Sequence, residues 1–62
     1  MLTKREIRMI YNLCLDIRNE EQYHRAKIVY DVWEHAMTDD IRSSLYFLLL
    51  AAWSDIYQAP KV

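Results

Sequence analysis

The sequence predicts an all-α protein, a bundle of three helices, on three observations. Glycine is absent and the only proline is Pro60, so no strong helix breaker stands before the last few residues. Apolar residues recur at three- and four-residue spacings, the period of an amphipathic helix. That rhythm changes phase twice, near Arg18–Glu20 and again at Thr38-Asp39-Asp40, and both places are rich in residues that cap helices. Sixty-two residues make one domain, 1–62, and no repeat or linker divides it.

Helix 1 is predicted over 4–18. Thr3-Lys4-Arg5-Glu6 has the form of a capping box, with Leu2 and Ile7 at the two positions of the hydrophobic staple. Ile7, Ile10, Tyr11, Cys14 and Ile17 then share one face with Leu13 at its edge. Arg8, Asn12 and Asp16 line the other, flanked by Met9 and Leu15.

Helix 2 is predicted over 20–37. The spacing 7, 10, 14, 17 would next require apolar residues at Glu21 and His24, and there it fails. A new rhythm begins at Tyr23, Ala26, Tyr30, Trp33 and Met37, with Val29 and Ala36 widening it. Asn19 can cap this helix, Glu20 and Glu21 suit the positive end of its dipole, and Gln22 holds the capping-box position. One continuous helix from Lys4 to Met37 is the competing reading, since Arg18–Gln22 are acceptable helix formers. A break is preferred because a helix of that length would have nothing to fold back against.

Helix 3, over 40–58, dominates the chain. Either Thr38 or Asp39 can cap it, and Ala59-Pro60 should stop it. From Leu45 to Trp53 no side chain is charged. At about 100° per residue, Ile41, Leu45, Leu48, Leu49, Ala52 and Ile56 form an aliphatic stripe suited to the core. Tyr46, Leu50, Trp53 and Tyr57 form an adjoining, mostly aromatic one. Together they cover roughly 200° of the helix, against about 100° for an ordinary amphipathic one. The uncharged run is far short of the roughly 20 residues that cross a bilayer.

Composition narrows the function. Hydrophobic residues make up 53% of the chain without any glycine, more than the usual 45 to 50% counted with it. A domain of about 60 residues buries only about 60% of its unfolded surface, so part of that surplus should face outward. The net charge of −1 gives no general footprint for nucleic acid. Lys4, Arg5 and Arg8 crowd the N-terminus, and Glu6 and Asp16 are placed to answer them. Cys14 cannot form an internal disulfide and reads as a small buried hydrophobe. With no disulfide framework and no secretory signal, a cytoplasmic protein is expected.

No active site assembles from these residues. Glu20, His24, Asp31 and His35 share one side of helix 2, but Lys27 lies among them and would repel a divalent cation, so ordinary ion pairing accounts for the strip. Ser43, Ser44 and Ser54 lack the glycine turns that expose a nucleophile. A helix-turn-helix reader needs basic or amide side chains opening its recognition helix, whereas helices 2 and 3 open with Glu20-Glu21 and Asp39-Asp40. Nor is there the basic face an interfacial membrane helix shows opposite its aromatics.

The expectation is therefore a protein without enzymatic activity, cofactor or metal that binds protein. Its contact is Tyr46, Leu50, Trp53 and Tyr57, and its partner is a second copy of itself, another protein, or both. Tyrosine and tryptophan suit that task because they bury much area while losing few rotamers. By analogy alone, a small helical chain without catalytic groups fits an accessory regulator or inhibitor of the kind phages and mobile elements encode. The alternative is a small DNA-associated regulator that pairs two N-terminal basic patches.

Overall fold

The computed structural model describes residues 2–58; Met1 and the expected stop at Ala59-Pro60 lie outside them. Three helices, α1 (Lys4–Leu15), α2 (Glu20–Trp33) and α3 (Asp39–Tyr57), pack against one another, and no strand occurs among the described residues. Short turns join them, so successive helices run antiparallel. Tyr57 of α3 accordingly reaches Tyr23 near the start of α2, with ring centroids 6.2 Å apart.

The capping box opens α1 as the sequence predicts. Thr3 Oγ1 accepts from the Glu6 amide at 3.1 Å, and Glu6 Oε1 accepts from the Thr3 amide at 2.9 Å. These bonds hold the Glu6 carboxyl below its ordinary pKa, the backbone amide of Thr3 contributing most. Leu2 is buried, as its place in the staple requires.

Helix 1 stops at Leu15 rather than at residue 18, because the chain from Asp16 to Asn19 is used to turn. The Asp16 amide closes α1 on Asn12 O at 3.1 Å. Ile17 still reaches the core from the turn, which is why it keeps the helical rhythm without being helical. Asn19 is extended and its side chain accepts from the Gln22 amide at 2.9 Å. Gln22 does not complete a capping box on Asn19. Its Oε1 reaches one residue further back and accepts from the Arg18 amide at 2.7 Å, so both sides of the turn are tied to the first turn of α2. The single long helix is thereby excluded.

Helix 2 also ends early, at Trp33. A 3₁₀ turn at Glu34–Ala36 tightens the chain and delivers Met37, in extended geometry, into the core. Thr38 then caps α3, its Oγ1 accepting from the Ile41 amide at 3.4 Å. That settles the choice between Thr38 and Asp39. Arg42 braces the junction by donating to Met37 O at 3.3 Å and pairing with Asp39 at 3.3 Å. Its buried Nε has no hydrogen-bond partner among the described residues.

The core gathers Leu2, Ile10 and Cys14, Ala26 and Tyr30, Met37, and Leu45 and Leu49. Ile7, Tyr11, Tyr23, Val29, Ile41 and Leu48 are half-buried around it. Ala26 is fully buried, and Leu45 is the one large side chain fully buried among the described residues. Of the predicted aliphatic stripe, Leu45 and Leu49 are buried while Ile41, Leu48, Ala52 and Ile56 lie at its half-buried margin. Trp33, which shares the helix 2 rhythm, stays 39% exposed instead of joining the buried core. It lies in a groove with Met9, Leu13 and Val29, because α2 ends at that residue and no third helix covers it.

Candidate functional site

The outward side of α3 is the most unusual surface of the molecule. Between Arg42 and Asp55 the helix carries no charged side chain on any face, including the one turned to solvent. Phe47 is 72% exposed, Tyr46 56%, Leu50 47% and Tyr57 44%. Aromatic side chains offer about 150 to 250 Å² each, so Tyr46, Phe47 and Tyr57 alone leave roughly 300 to 400 Å² in water, within the range of apolar patches that mark interaction sites. Ser43, Ala51 and Ser54 lie between these large residues, exposed and small.

The four residues expected to form the contact do lie together, but not equally. Tyr46, Leu50 and Tyr57 are exposed. Trp53 is half-buried, with its ring centroid 5.9 Å from that of Tyr57. Tyr57 in turn meets Tyr23 edge-on, so this flank is held rigidly against α2. Tyr46, Leu50 and Trp53 line a shallow groove of about 270 Å³ there, with Tyr23, Lys27 and Leu49. Lys27 is fixed at its rim by Asp31, 2.8 Å away.

Sequence reasoning passed over Phe47, the most exposed large apolar side chain. It lies outside both stripes of the helical wheel, and only its place in an uncharged run marks it. Leu15, 64% exposed, was similarly hidden, as a residue flanking a polar strip. The fold brings the two to one side, where Tyr11, Leu15, Ser43, Ser44, Phe47 and Leu48 line an open groove of about 660 Å³ between α1 and α3. The apolar surface therefore extends from the α2 flank across the crest of α3 to α1, and its centre is Phe47 and Leu50.

The charged residues are otherwise arranged than expected in one place. Glu6 is occupied by the cap and Asp16 pairs with Arg18 at 3.4 Å, so neither answers the N-terminal cations. Lys4, Arg5 and Arg8 are exposed and make no ion pair among the described residues. On α2 the acidic and basic side chains pair along the helix, Arg25 with Glu21 and Lys27 with Asp31, and His24 lies 3.5 Å from Glu20. Among the described residues no three histidine, cysteine or acidic side chains converge as metal ligands would, and no helix is long and apolar enough to cross a membrane.

Cys14 is buried in the core and desolvation pushes its thiol from an ordinary value near 9 to about 11. Such a thiol is a poor nucleophile at neutral pH.

Comparison with known proteins returns no match: no family model, no curated protein and no solved structure aligns with the chain.

Proposed function

We propose that this chain is a small non-enzymatic protein-binding module that pairs with a second copy of itself through the outward side of α3, and that it serves as an accessory regulator or inhibitor of a partner protein. The observation that carries the reading is the uncharged crest of α3 with Tyr46, Phe47, Leu50 and Tyr57 in solvent. Covering that surface is favourable at about 25 cal/mol per Å², against which the entropic cost of association is set. Rigid aromatics supply the kind of area on which binding hot spots are built.

Leu50→Asp tests the reading. It sets a carboxylate in the middle of the contact, where desolvation should disfavour association by several kcal/mol, yet it leaves the buried Leu45 and Leu49 untouched. Light scattering at micromolar concentration should find the wild type dimeric and the variant monomeric, with equal helicity by circular dichroism. A wild type that is monomeric and binds nothing through this side would sink the proposal.

One observation favours the DNA-associated alternative, namely the unpaired Lys4, Arg5 and Arg8 on α1. Phosphate contacts lose affinity steeply with salt whereas an apolar contact does not. Retention on DNA that is absent in low salt excludes the alternative. Retention that falls steeply with salt and disappears in Arg5→Glu/Arg8→Glu favours it.

A further inference from the structure

Between α1 and α2, on a side that no residue of α3 lines, runs a second apolar groove. Met9 and Leu13 of α1 face Val29 and Trp33 of α2 across it, in two adjoining hollows of about 390 and 230 Å³ that share Met9 and Leu13. Each pair is four residues apart, so it forms a ridge along its own helix. The outer side of a helix pair is ordinarily polar. Here Met9, Leu13 and Trp33 stay exposed, and Val32, three residues on from Val29, extends the α2 wall into solvent.

The charges around this groove are unequally engaged. Glu6 at one end is held by the Thr3 amide, and Asp16 at the other pairs with Arg18. Arg25, on the α2 wall, pairs with Glu21. Arg5 and Arg8 stand one helical turn before Met9 and Asn12, which line the groove, and neither makes an ion pair among the described residues. The α1 wall therefore sets two unpaired cations beside an apolar floor.

Resting on the reading that this chain binds a partner protein, but not on the pairing through α3, we infer that the α1/α2 groove docks an amphipathic helix of that partner, with acidic side chains flanking its apolar stripe. The groove runs about 15 Å from Glu6 to Asp16 at 1.5 Å per residue, which a helix of about ten residues spans. Anchors at i, i+3, i+4 and i+7 of such a helix lie along the two ridges, opposite α3, and its carboxylates meet Arg5 and Arg8. An extended segment fits less well, because among the described residues no strand edge is present to bond its backbone, whereas a helix bonds its own. A second copy of the chain does not supply the acids through its apolar crest, since α3 is uncharged from Ser43 to Ser54. Phosphate would engage the two arginines but gain nothing from the floor. A contact of this size belongs among the small, transient ones, below about 1,200 Å².

The two tryptophans report the two surfaces separately, Trp33 in this groove and Trp53 beside α3's aromatic crest. The probe is an alanine-based peptide of about fourteen residues with leucines at i, i+3, i+4 and i+7 and glutamates beside them, and the control carries lysines for the glutamates. Titrated into the full chain and followed by proton–nitrogen NMR, the acidic peptide should shift the Trp33 indole N–H and the Met9 and Leu13 amides, leave Trp53 in place, and bind several-fold more tightly than the control. Arg5→Glu/Arg8→Glu, whose acids suit the start of the α1 dipole and so keep the fold, should reverse that preference. Met9→Glu, at an exposed position, should weaken the acidic peptide with helicity unchanged by circular dichroism. Leu50→Asp should leave its affinity as it is, so that failure of the α3 pairing and failure of this site are read apart. No shift at Trp33, a shift at Trp53 instead, or equal binding of the two peptides overturns the inference. So does a duplex DNA oligomer that moves the Arg5 and Arg8 amides when the acidic peptide does not.

Discussion

Thr3 and Cys14 show what single side chains contribute to this fold. Thr3 and Glu6 satisfy two backbone amides that would otherwise meet only water, at 3.1 and 2.9 Å. Thr3→Ala should cost about 1 kcal/mol, which for a domain of this size lowers the melting temperature by roughly 4 to 8 °C. Thermal unfolding followed by circular dichroism checks it. Cys14 makes stability depend on pH in the alkaline range. Its thiol sits at about 11 in the fold and near 9 when unfolded, so the unfolded chain releases a proton first as pH rises. Stability is therefore undiminished by Cys14 below pH 9 and should fall by roughly 1.4 kcal/mol per pH unit between 9 and 11. Cys14→Ala, compared with the wild type in urea titrations across that range, should show a flatter decline. Both residues were legible in the sequence, Thr3 through its spacing to Glu6 and Cys14 through its place on an apolar face.

At the level of the helix, the turn between α1 and α2 was predicted in kind and misjudged in extent. The phase break in apolar spacing located it. What the spacing could not convey is that Ile17 enters the core from a turn, and that Gln22 bonds Arg18 rather than Asn19. Side-chain hydrogen bonds of this sort shorten helices without changing the hydrophobic pattern. Asn19→Ala removes the acceptor for the Gln22 amide and should cost about 1 kcal/mol, whereas Asn19→Gly should cost only a few tenths, since glycine is tolerated at a cap. Chemical denaturation of the two variants distinguishes them. A loss confined to Asn19→Gly, with Asn19→Ala unchanged or more stable, would mean that residue 19 lies within a helix.

For the whole molecule the decisive contrast is between adjacent residues of α3. Leu49 is buried against α2 and Leu50 stands about 100° further round, in solvent. A chain of this length is stabilised by only about 3 to 9 kcal/mol, taking 0.05 to 0.15 kcal/mol per residue. Leu49→Asp buries an unpaired carboxylate and should therefore leave the chain unfolded, without helical dichroism at 25 °C, while Leu50→Asp keeps it. A folded Leu49→Asp variant would mean that the core lies elsewhere.

The sequence by itself determined that the chain is helical, that Thr3 and Asn19 are placed to cap, and that Leu45 and Leu49 belong to the aliphatic stripe of α3, because helical periodicity and capping are local properties of the chain; it left the cap of α3 open between Thr38 and Asp39. It also marked Tyr46, Leu50, Trp53 and Tyr57 as a group, since residues three and four apart must share a helix face. Only the tertiary structure decided which side of a helix with apolar residues over more than half its circumference is covered. It half-buried Trp53 against α2, left Phe47 in solvent, brought Leu15 beside it from α1, and engaged Glu6 and Asp16 locally so that Lys4, Arg5 and Arg8 stand unpaired. A helical wheel fixes azimuths within one helix, whereas exposure depends on where the other two helices end, and α1 and α2 are both too short to wrap the longer α3.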